Sequence, residues 1–320
     1  MLDNIGRKIN YLRISVTDLC NLRCKYCMPQ RGLCKKSHDD ILRIEELEAI
    51  VNQGVKIGID KVRITGGEPL VRRGIIKLIE RISGMDGIKD LAITTNGILL
   101  KKYAKELKNA GLSRVNISID SLDKNKYKEI TRGGNIGDVL GGIAAAKKVG
   151  LTPIKLNTVL IGGFNDDEIK DFIKLTLDEE IDVRFIELMP LGEASTWSRS
   201  HFIPNTIILD RFPELMPILK EDKSSPARYY RLPNGKGRVG LINPISNHFC
   251  SSCNRIRITS DGKIKPCLHS NDEINIRTLL KENIELKDIL KLAIESKPKE
   301  HMINDYEYQP VIRNMYQIGG

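Results

Sequence analysis

Three cysteines near the start of the chain constrain its fold more than any other feature. Cys20, Cys24 and Cys27 are separated by three and then two residues, and they follow the apolar, β-prone run 11–16. Thiolates are soft ligands that select zinc, copper(I) or iron–sulfur clusters, and three so close together can fold around one metal centre. Because a structural zinc site closes with four ligands, a set of three indicates a centre with an open coordination position. Two other interpretations stay open from the residues alone: a zinc site completed by Cys34 or His38, or cysteines that only pack.

Length and composition place the chain among globular proteins. Its 320 residues suffice for one large domain with a smaller appendage. We expect neither a membrane span nor a signal peptide, because no apolar run approaches about 20 residues and segment 1–9 is polar. Seven cysteines, six of them in two clusters, fit metal ligation in a reducing compartment better than a disulfide framework. These features together predict a cytoplasmic protein.

The formal net charge of +10 does not by itself identify a partner. Much of the lysine falls on helix-like segments, where a solvated face explains it. Aromatic residues total only 5%, and no stripe of lysine and arginine alternates with them. A stacking platform for nucleic acid is therefore disfavoured.

Short β-branched runs alternate with amphipathic helical patterns through the first 190 residues. This alternation predicts parallel βαβ units with right-handed crossovers. Six such units are too few for a complete eightfold barrel, and periodicity alone does not separate an open doubly wound sheet from a partial barrel. Strands are expected at 11–16, 61–65, 91–95, 114–120, 153–161 and 183–189, and helices at 43–57, 74–83, 100–109, 136–149 and 166–178.

Residues suited to ligand binding cluster where the predicted strands end, which is where α/β barrels bind ligands. The second strand leads into Gly66-Gly67-Glu68-Pro69, Ser118 lies on the fourth strand and Met189 ends the sixth. Glycine has no Cβ, so this turn would let backbone approach a ligand closely. An ordinary tight turn is the alternative.

The first triad, with Tyr26 inside it, resembles the signature of the radical S-adenosylmethionine (SAM) superfamily. The string Leu-Arg-Ile-Ser-Val-Thr-Asp at 12–18 and the step Cys27-Met28-Pro29 narrow the resemblance to the GTP 3′,8-cyclase family. The resemblance implies an α/β fold: a partial (βα)6 TIM-like barrel over 1–190, a linker and irregular extension over 191–247, and a C-terminal region over 248–320 with a second iron–sulfur cluster. It also implies a 4Fe–4S cluster on Cys20, Cys24 and Cys27 that splits SAM, with SAM contacts from Tyr26, Gly67, Ser118 and Met189.

A second triad lies near the C-terminus, where a predicted hairpin with an Asp261-Gly262 turn would bring its third cysteine back beside the first two. On spacing alone, a zinc site completed by His248 or His269 is the better prediction. The resemblance implies instead a second 4Fe–4S cluster whose open iron binds the guanine of GTP. The triad consists of Cys250, Cys253 and Cys267.

Several cations fall on predicted barrel strands, whose interior positions are normally apolar. A charge there is costly unless partnered, and the planar fork of arginine suits phosphate oxygens, so an anionic ligand would explain them. Internal salt bridges to Glu68, Asp120 or Glu187 are the competing explanation. The resemblance implies GTP contacts from Arg13, Arg63, Thr94, Lys155, Arg255, Ile256 and Arg257.

The resemblance also implies an activity and its partners. A terminal Gly319-Gly320 is usually a frayed end, but in this family the double glycine reaches into the active site, which implies a catalytic role. The implied reaction cyclises GTP at the expense of SAM in molybdenum cofactor biosynthesis, with an electron donor such as flavodoxin or ferredoxin. We expect a monomer or homodimer that binds neither nucleic acid nor membrane. The alternatives are a radical SAM peptide maturase whose second cluster transfers electrons, and a zinc-bound nucleic-acid module.

Overall fold

The computed structural model describes residues 1–31, 33, 37–220, 222–305 and 308–319. Six strands from the first 190 residues pair in parallel and in chain order, as the alternating pattern predicts. Their β-branched residues suit a sheet that is covered on both faces. The strands are β1 Tyr11–Ser15, β2 Lys61–Thr65, β3 Asp90–Thr95, β4 Arg114–Ser118, β5 Ile154–Leu160 and β6 Ile181–Glu187.

Helices connect these strands and bury one apolar face each. In the second helix Ile75, Leu78, Ile79 and Ile82 are buried at spacings of three and four residues. Each such side chain contributes about 1.5–3 kcal/mol of stability by leaving water. The helices are α1 Ile44–Lys56, α2 Ile75–Ser83, α3 Leu100–Asn109, α4 Lys124–Thr131, α5 Ile136–Lys148 and α6 Ile169–Asp178.

The rest of the chain extends both edges of this sheet. It supplies α7 Thr206–Arg211, β7 Met216–Pro217, β8 Ala227–Arg231, β9 Arg238–Ile242, β10 Arg255–Ile258, β11 Lys263–Lys265, β12 Ile274–Asn275, α8 Ile276–Lys281, α9 Leu286–Glu295 and α10 Met315–Ile318. Strand β9 pairs in parallel with β6, and β10 pairs in parallel with β1. The first six strands therefore have a parallel neighbour on each side.

This architecture confirms the partial barrel. The hairpin expected over 255–267 is formed by β10 and β11, which turn at Gly262 with a φ of 79°. Segment 191–247, expected to be a linker, contributes β7, β8 and β9 to the sheet. The division into three parts stays a prediction. Within the described residues, no helix combines the length and apolar character that crossing a membrane requires.

Candidate active site

The first cysteine triad occupies the loop after β1. Cys20, Cys24 and Cys27 are free thiols, and the amide of Cys27 closes a turn by donating to the carbonyl of Cys24 at 2.9 Å. Burial raises the pKa of Cys20 to about 11 and that of Cys27 to about 12. A metal must therefore displace the protons of these thiols when it binds. Cys34 and the side chain of His38, considered above as further ligands, lie outside the described parts of the structure.

The glycine-rich turn after β2 packs directly against this loop. A Cβ on Gly67 would lie 2.5 Å from the carbonyl oxygen of Leu19, and one on Gly66 would lie 2.7 Å from that of Thr17. The amide of Gly67 donates to the carbonyl of Thr17 at 2.7 Å. Because Gly66 and Gly67 have no side chains, this turn can pack closely against the cysteine loop.

Glu68 links three loops at this edge of the sheet. Its buried carboxylate accepts from the amides of Leu70 and Asn96 at 2.9 and 2.7 Å, and from the hydroxyl of Thr95 at 2.8 Å. Asn96 in turn donates to the side chain of Asn21 at 2.8 Å. Burial raises the pKa of Glu68 to about 7 against the effect of these bonds. Glu68 therefore fixes the loops after β2 and β3 against the cysteine loop.

Three of the four residues predicted to contact SAM line one cavity of about 260 Å³. These are Tyr26, Ser118 and Met189, whereas Gly67 is not among its lining residues. The hydroxyl of Tyr26 donates to Asp120 at 2.7 Å, and a backbone amide of β5 donates to the same carboxylate at 2.9 Å. Burial nevertheless raises the pKa of Asp120 to about 6.

The second triad borders the same cavity. Cys250 begins a 3₁₀ turn that Cys253 follows, and the hairpin of β10 and β11 returns the chain to Cys267. All three are free thiols. Burial would raise the pKa of Cys253, but the positive charges of Arg255 and Lys297 outweigh it and bring the pKa to about 7. The fold thus brings the loop of one triad and the cysteines of the other to one space.

The donor set of each triad fits an iron–sulfur cluster. Within the described residues, no three histidine, cysteine or carboxylate side chains are arranged to hold one ion. The thiols of the second triad border a common space, and those of the first lie within one short loop. Either arrangement suits a cluster in which each thiolate takes a separate iron. His269 lines this cavity, and burial lowers its pKa to about 3, aided by His301. His248, the other candidate fourth ligand, lies 3.7 Å from Glu300.

The register of the parallel strands places arginines in a row across the sheet. Arg13 of β1 lies beside Arg63 of β2 and Arg257 of β10. The ring centroid of Tyr11 is 5.5 Å from Cζ of Arg63 and 5.6 Å from Cζ of Arg255. Because alternate residues of a strand share a face, these side chains line the same cavity.

A second cavity of about 160 Å³ shares Arg63, Arg184 and Arg255 with the first. The Nε atom of each is buried and has no hydrogen-bond partner among the residues described. Burial lowers the pKa of Arg63 to about 10. Buried, unsatisfied donors on neighbouring cations favour an anionic ligand at this junction. Further cations that line the second cavity are Lys61, Arg114, Lys155, Lys220 and Arg238.

Internal salt bridges to Glu68, Asp120 or Glu187 were the alternative explanation for the buried cations. The salt bridge that Lys155 forms involves another carboxylate. Lys155 lies 3.6 Å from Asp182, and burial, with Arg184 and Arg114 adding to it, lowers the pKa of Lys155 to about 7. The carboxylates of Glu68 and Asp120 bind the amides and hydroxyls described above. Glu187 accepts from two backbone amides of the loop after β9, at 3.0 Å each.

Two predicted GTP contacts lie outside the lining of both cavities. Ile256 is fully buried in the main hydrophobic core, on a strand that pairs with β1. Thr94 on β3 is 9% exposed, and its hydroxyl has no hydrogen-bond partner in the described chain. The structure therefore brings the predicted cations together but not these two side chains.

The end of the chain enters the same region. Gly319 follows α10 with a φ of 86°, and its carbonyl accepts a hydrogen bond of 2.8 Å from Nη1 of Arg257. A Cβ at Gly319 would overlap Oγ1 of Thr65 and lie 3.1 Å from the Cβ of Ser15. Only glycine therefore fits beside the ends of β1 and β2. Gly320 lies outside the described residues.

Arg184 was not among the site residues predicted from the sequence. It is 5% exposed on β6, and its Nη2 donates to the side-chain oxygen of Asn116 at 2.9 Å. The signal was present, because Arg184 is a cation within an apolar strand, as are Arg13 and Arg63. Tyr11 gave no comparable signal, since an aromatic residue at the start of a strand commonly packs.

Two family models together match most of the chain. The model of the Radical SAM superfamily matches residues 14–176, and that of Molybdenum Cofactor Synthesis C matches residues 181–303. Among solved structures, native anSMEcpe with bound AdoMet has a TM-score of 0.61 at 17% identity and covers 92% of this chain and 82% of its own. Streptococcus suis SuiB has a TM-score of 0.60 at 16% identity over 89% of this chain and 66% of its own. At such identities these two structures show a shared fold alone.

Curated relatives match over the full length. The GTP 3′,8-cyclase of Alkaliphilus oremlandii (strain OhILAs) is 61% identical over 321 residues, which cover 100% of both chains. The GTP 3′,8-cyclase of Peptoclostridium acidaminophilum is 56% identical over 100% of this chain and 98% of its own. The chain therefore belongs to the GTP 3′,8-cyclase family of the radical SAM superfamily.

Proposed function

We propose that the chain converts GTP to (8S)-3′,8-cyclo-7,8-dihydroguanosine 5′-triphosphate, with SAM cleaved to methionine and 5′-deoxyadenosine. This is the first step of molybdenum cofactor biosynthesis. One observation carries the proposal: the cavity bordered by both cysteine regions also contains buried arginines with unsatisfied Nε donors. The shared name of the full-length relatives supports the same reaction.

Each triad would hold one 4Fe–4S cluster. When bound, the first cluster supplies the electron that cleaves SAM and so begins radical chemistry on the substrate. The chain positions SAM: Glu68 fixes the loops around the cysteines, and Asp120 holds the hydroxyl of Tyr26. We assign the clusters to Cys20, Cys24 and Cys27 and to Cys250, Cys253 and Cys267, and the SAM contacts to Tyr26, Gly67, Ser118 and Met189.

The arginine row would bind the triphosphate. Arginine forks donate pairs of hydrogen bonds to phosphate oxygens, and this would satisfy the Nε atoms of Arg63, Arg184 and Arg255. Holding the triphosphate there fixes the ribose relative to SAM, which lowers the entropic cost of reaction. We assign GTP contacts to Arg13, Arg63, Thr94, Lys155, Arg184, Arg255, Ile256 and Arg257, with Ile256 taken from the family resemblance.

The double-glycine tail would act through Arg257. Because the carbonyl of Gly319 accepts from Nη1 of Arg257, it orients that guanidinium toward the cavity that Arg257 lines. We assign this role to Gly319 and extend it to Gly320 from the family resemblance.

The remaining partners follow from the chemistry proposed. The clusters need a one-electron donor, and a small redox protein such as flavodoxin or ferredoxin would supply it. Six unpaired ligand thiols suit a reducing compartment, which favours the cytoplasm. We expect a monomer or homodimer that acts on a free nucleotide, without nucleic acid or membrane.

Metal analysis distinguishes a protein with two iron–sulfur clusters from a zinc protein. Anaerobically reconstituted protein should hold about eight irons and eight sulfides per chain, because each 4Fe–4S cluster contains four of each. Replacing Cys20, Cys24 and Cys27 by alanine, or Cys250, Cys253 and Cys267 by alanine, should halve both counts. Zinc in place of iron would overturn the proposal and favour the nucleic-acid module.

An activity assay tests whether GTP is the substrate. With SAM and reductant, the reconstituted protein should release 5′-deoxyadenosine in a GTP-dependent way, with ATP as the matched control. Arg255→Ala and Arg257→Ala should weaken GTP binding. GTP-independent release, together with unchanged GTP binding in these variants, would favour a peptide maturase.

A further inference from the structure

The second triad is surrounded by a network of basic side chains that the proposed reaction does not use. Lys297 directly follows the C-cap residue of α9 and is 7% exposed. Its Nζ donates to the carbonyl of Arg255 at 3.0 Å and to the carbonyl of Pro266 at 2.8 Å. Its positive charge also acts on the nearby thiol of Cys253. An ammonium group has three donors, and these two carbonyls take two of them. Both acceptors lie within two residues of a cysteine of the triad, Arg255 near Cys253 and Pro266 next to Cys267.

The part of the chain that the structure describes provides no carboxylate partner for this buried charge. Within the described residues, Lys297 forms no ion pair with an aspartate or glutamate at 4.0 Å or less. Burying an isolated ammonium is costly, and the carboxyl end of α9 offsets only part of that cost. Negative charge on the second triad, beside which both carbonyl acceptors lie, would balance the charge of Lys297.

Arg7 fixes the position of Lys297 relative to Cys250. Its Nη1 donates to the carbonyls of Cys250 and Lys299 at 2.8 and 2.9 Å, and its Nη2 donates to that of Pro298 at 2.8 Å. The segment that carries Lys297 is thereby tied to the turn that begins at Cys250. Together, Arg7 and Lys297 reach the backbone at or beside all three cysteines.

We propose that Lys297 is a positioning residue for the second triad, and that its ammonium group supplies the positive charge that stabilises the reduced state of the cluster held there. This inference rests on the proposed function only in that the triad holds a 4Fe–4S cluster. Hydrogen bonds to cluster sulfurs and nearby positive charge raise reduction potential. Removing the charge should therefore make the second cluster harder to reduce.

The test uses full-length protein in which Cys20, Cys24 and Cys27 are alanine, so that only the second cluster contributes a signal. Its reduction potential is measured by electron paramagnetic resonance during an anaerobic redox titration, without GTP. At the midpoint potential of the unmodified protein, Lys297→Met should lower the ratio of reduced to oxidised cluster about tenfold. For a one-electron couple this corresponds to a reduction potential about 59 mV lower. Lys299→Met, an exposed lysine two residues away, should leave the potential unchanged.

A third variant covers the case in which Lys297→Met fails to assemble the cluster. Lys297→Arg keeps the charge, so cluster retention in that variant alone supports the proposal. Loss of the cluster in both variants, or an unchanged potential in Lys297→Met, overturns it. Neither result depends on turnover, so failure of this inference is distinct from failure of the cyclase assignment, which the GTP-dependent release of 5′-deoxyadenosine tests.

Discussion

Arg257 holds the carbonyl oxygen of Gly319 at 2.8 Å, so an arginine proposed to bind substrate also anchors the end of the chain. The tail and the cation row are therefore parts of one arrangement. A change in one should alter the other without unfolding the barrel, because this bond lies outside the main hydrophobic core.

Gly319→Ala should lower activity while the barrel stays folded. The added Cβ would overlap Thr65 in a backbone conformation that alanine rarely adopts, so the tail should leave its site and release Arg257. We expect at least about a tenfold loss of GTP-dependent 5′-deoxyadenosine formation. Alanine kept at this positive φ would cost more than about 1 kcal/mol, so the tail should detach while unfolding of the barrel is little affected. Gly163→Ala is the matched control, since its φ is 71° and a Cβ there would meet no atom within 4 Å. Equal activity in the two variants would contradict the role assigned to the tail.

Arg63→Met should weaken GTP binding without destabilising the fold. Its buried Nε has no hydrogen-bond partner in the described residues, so the substitution removes an unsatisfied buried donor. A charge-assisted hydrogen bond contributes about 1.5–3 kcal/mol, which predicts a loss of GTP affinity of roughly ten- to a hundredfold. Isothermal titration calorimetry measures this, and urea unfolding should show unchanged or higher stability. Arg199→Met, at an exposed position, controls for net charge, and matching affinities in both variants would refute the prediction.

GTP affinity should fall as pH rises from 7.5 to 9. Burial, followed by Arg184 and Arg114, lowers the pKa of Lys155 to about 7, so this lysine is largely neutral above that pH in the free protein. A bound triphosphate favours the charged form, and binding therefore takes up a proton, with a slope of at most about tenfold per pH unit. Calorimetry in buffers of different ionisation enthalpy counts that proton. The arginine of Lys155→Arg is charged before GTP binds, so binding to this variant should take up no proton. Proton uptake by this variant would mean that a group other than Lys155 takes up the proton.

Glu187→Gln should destabilise the junction between the barrel and the second triad. The carboxylate is fully buried and accepts from the amides of Ile245 and Ser246, in the loop that leads to Cys250. A glutamine oxygen could still accept from these two amides, but its NH₂ group would then face the hydroxyl of Ser246 and the amide of Asn205, which donate to the other oxygen of Glu187. The mismatch should cost about 1–3 kcal/mol. Urea unfolding should show this loss, and Glu180→Gln on the surface should not. If both variants unfold at the same urea concentration, Glu187 does not hold this junction.

Local patterns predicted the barrel elements well. Strand β2 and helix α3 begin and end where the residue pattern indicates, because their apolar residues keep a clear period of two or of three to four. Helix α4 was not predicted, since most of its residues are polar and Tyr127 and Ile130 are its main apolar contacts. Its start was nevertheless signalled by Asp123, whose side chain caps the first turn.

Pairing between distant segments could not be predicted in the same way. The pattern indicates that β10 is a strand, but not that it lies beside β1, which is more than 200 residues earlier in the chain. Because that pairing sets Arg257 beside Arg13, the arginine row depends on a register that no local period specifies. The cysteine spacings, by contrast, are local and indicated both triads directly.

Strands β9 and β10 flank the barrel on both edges, and this has a consequence for synthesis of the chain. On the ribosome, the six barrel strands emerge before either flanking strand exists. Until then, β1 and β6 both present unpaired backbone groups, which are prone to associate with other chains. The emergence of residues 238–258 closes both edges and delivers Cys250 and Cys253 with them. The nascent protein thus gains protection from aggregation over the same stretch of translation that begins to build its second metal-binding centre.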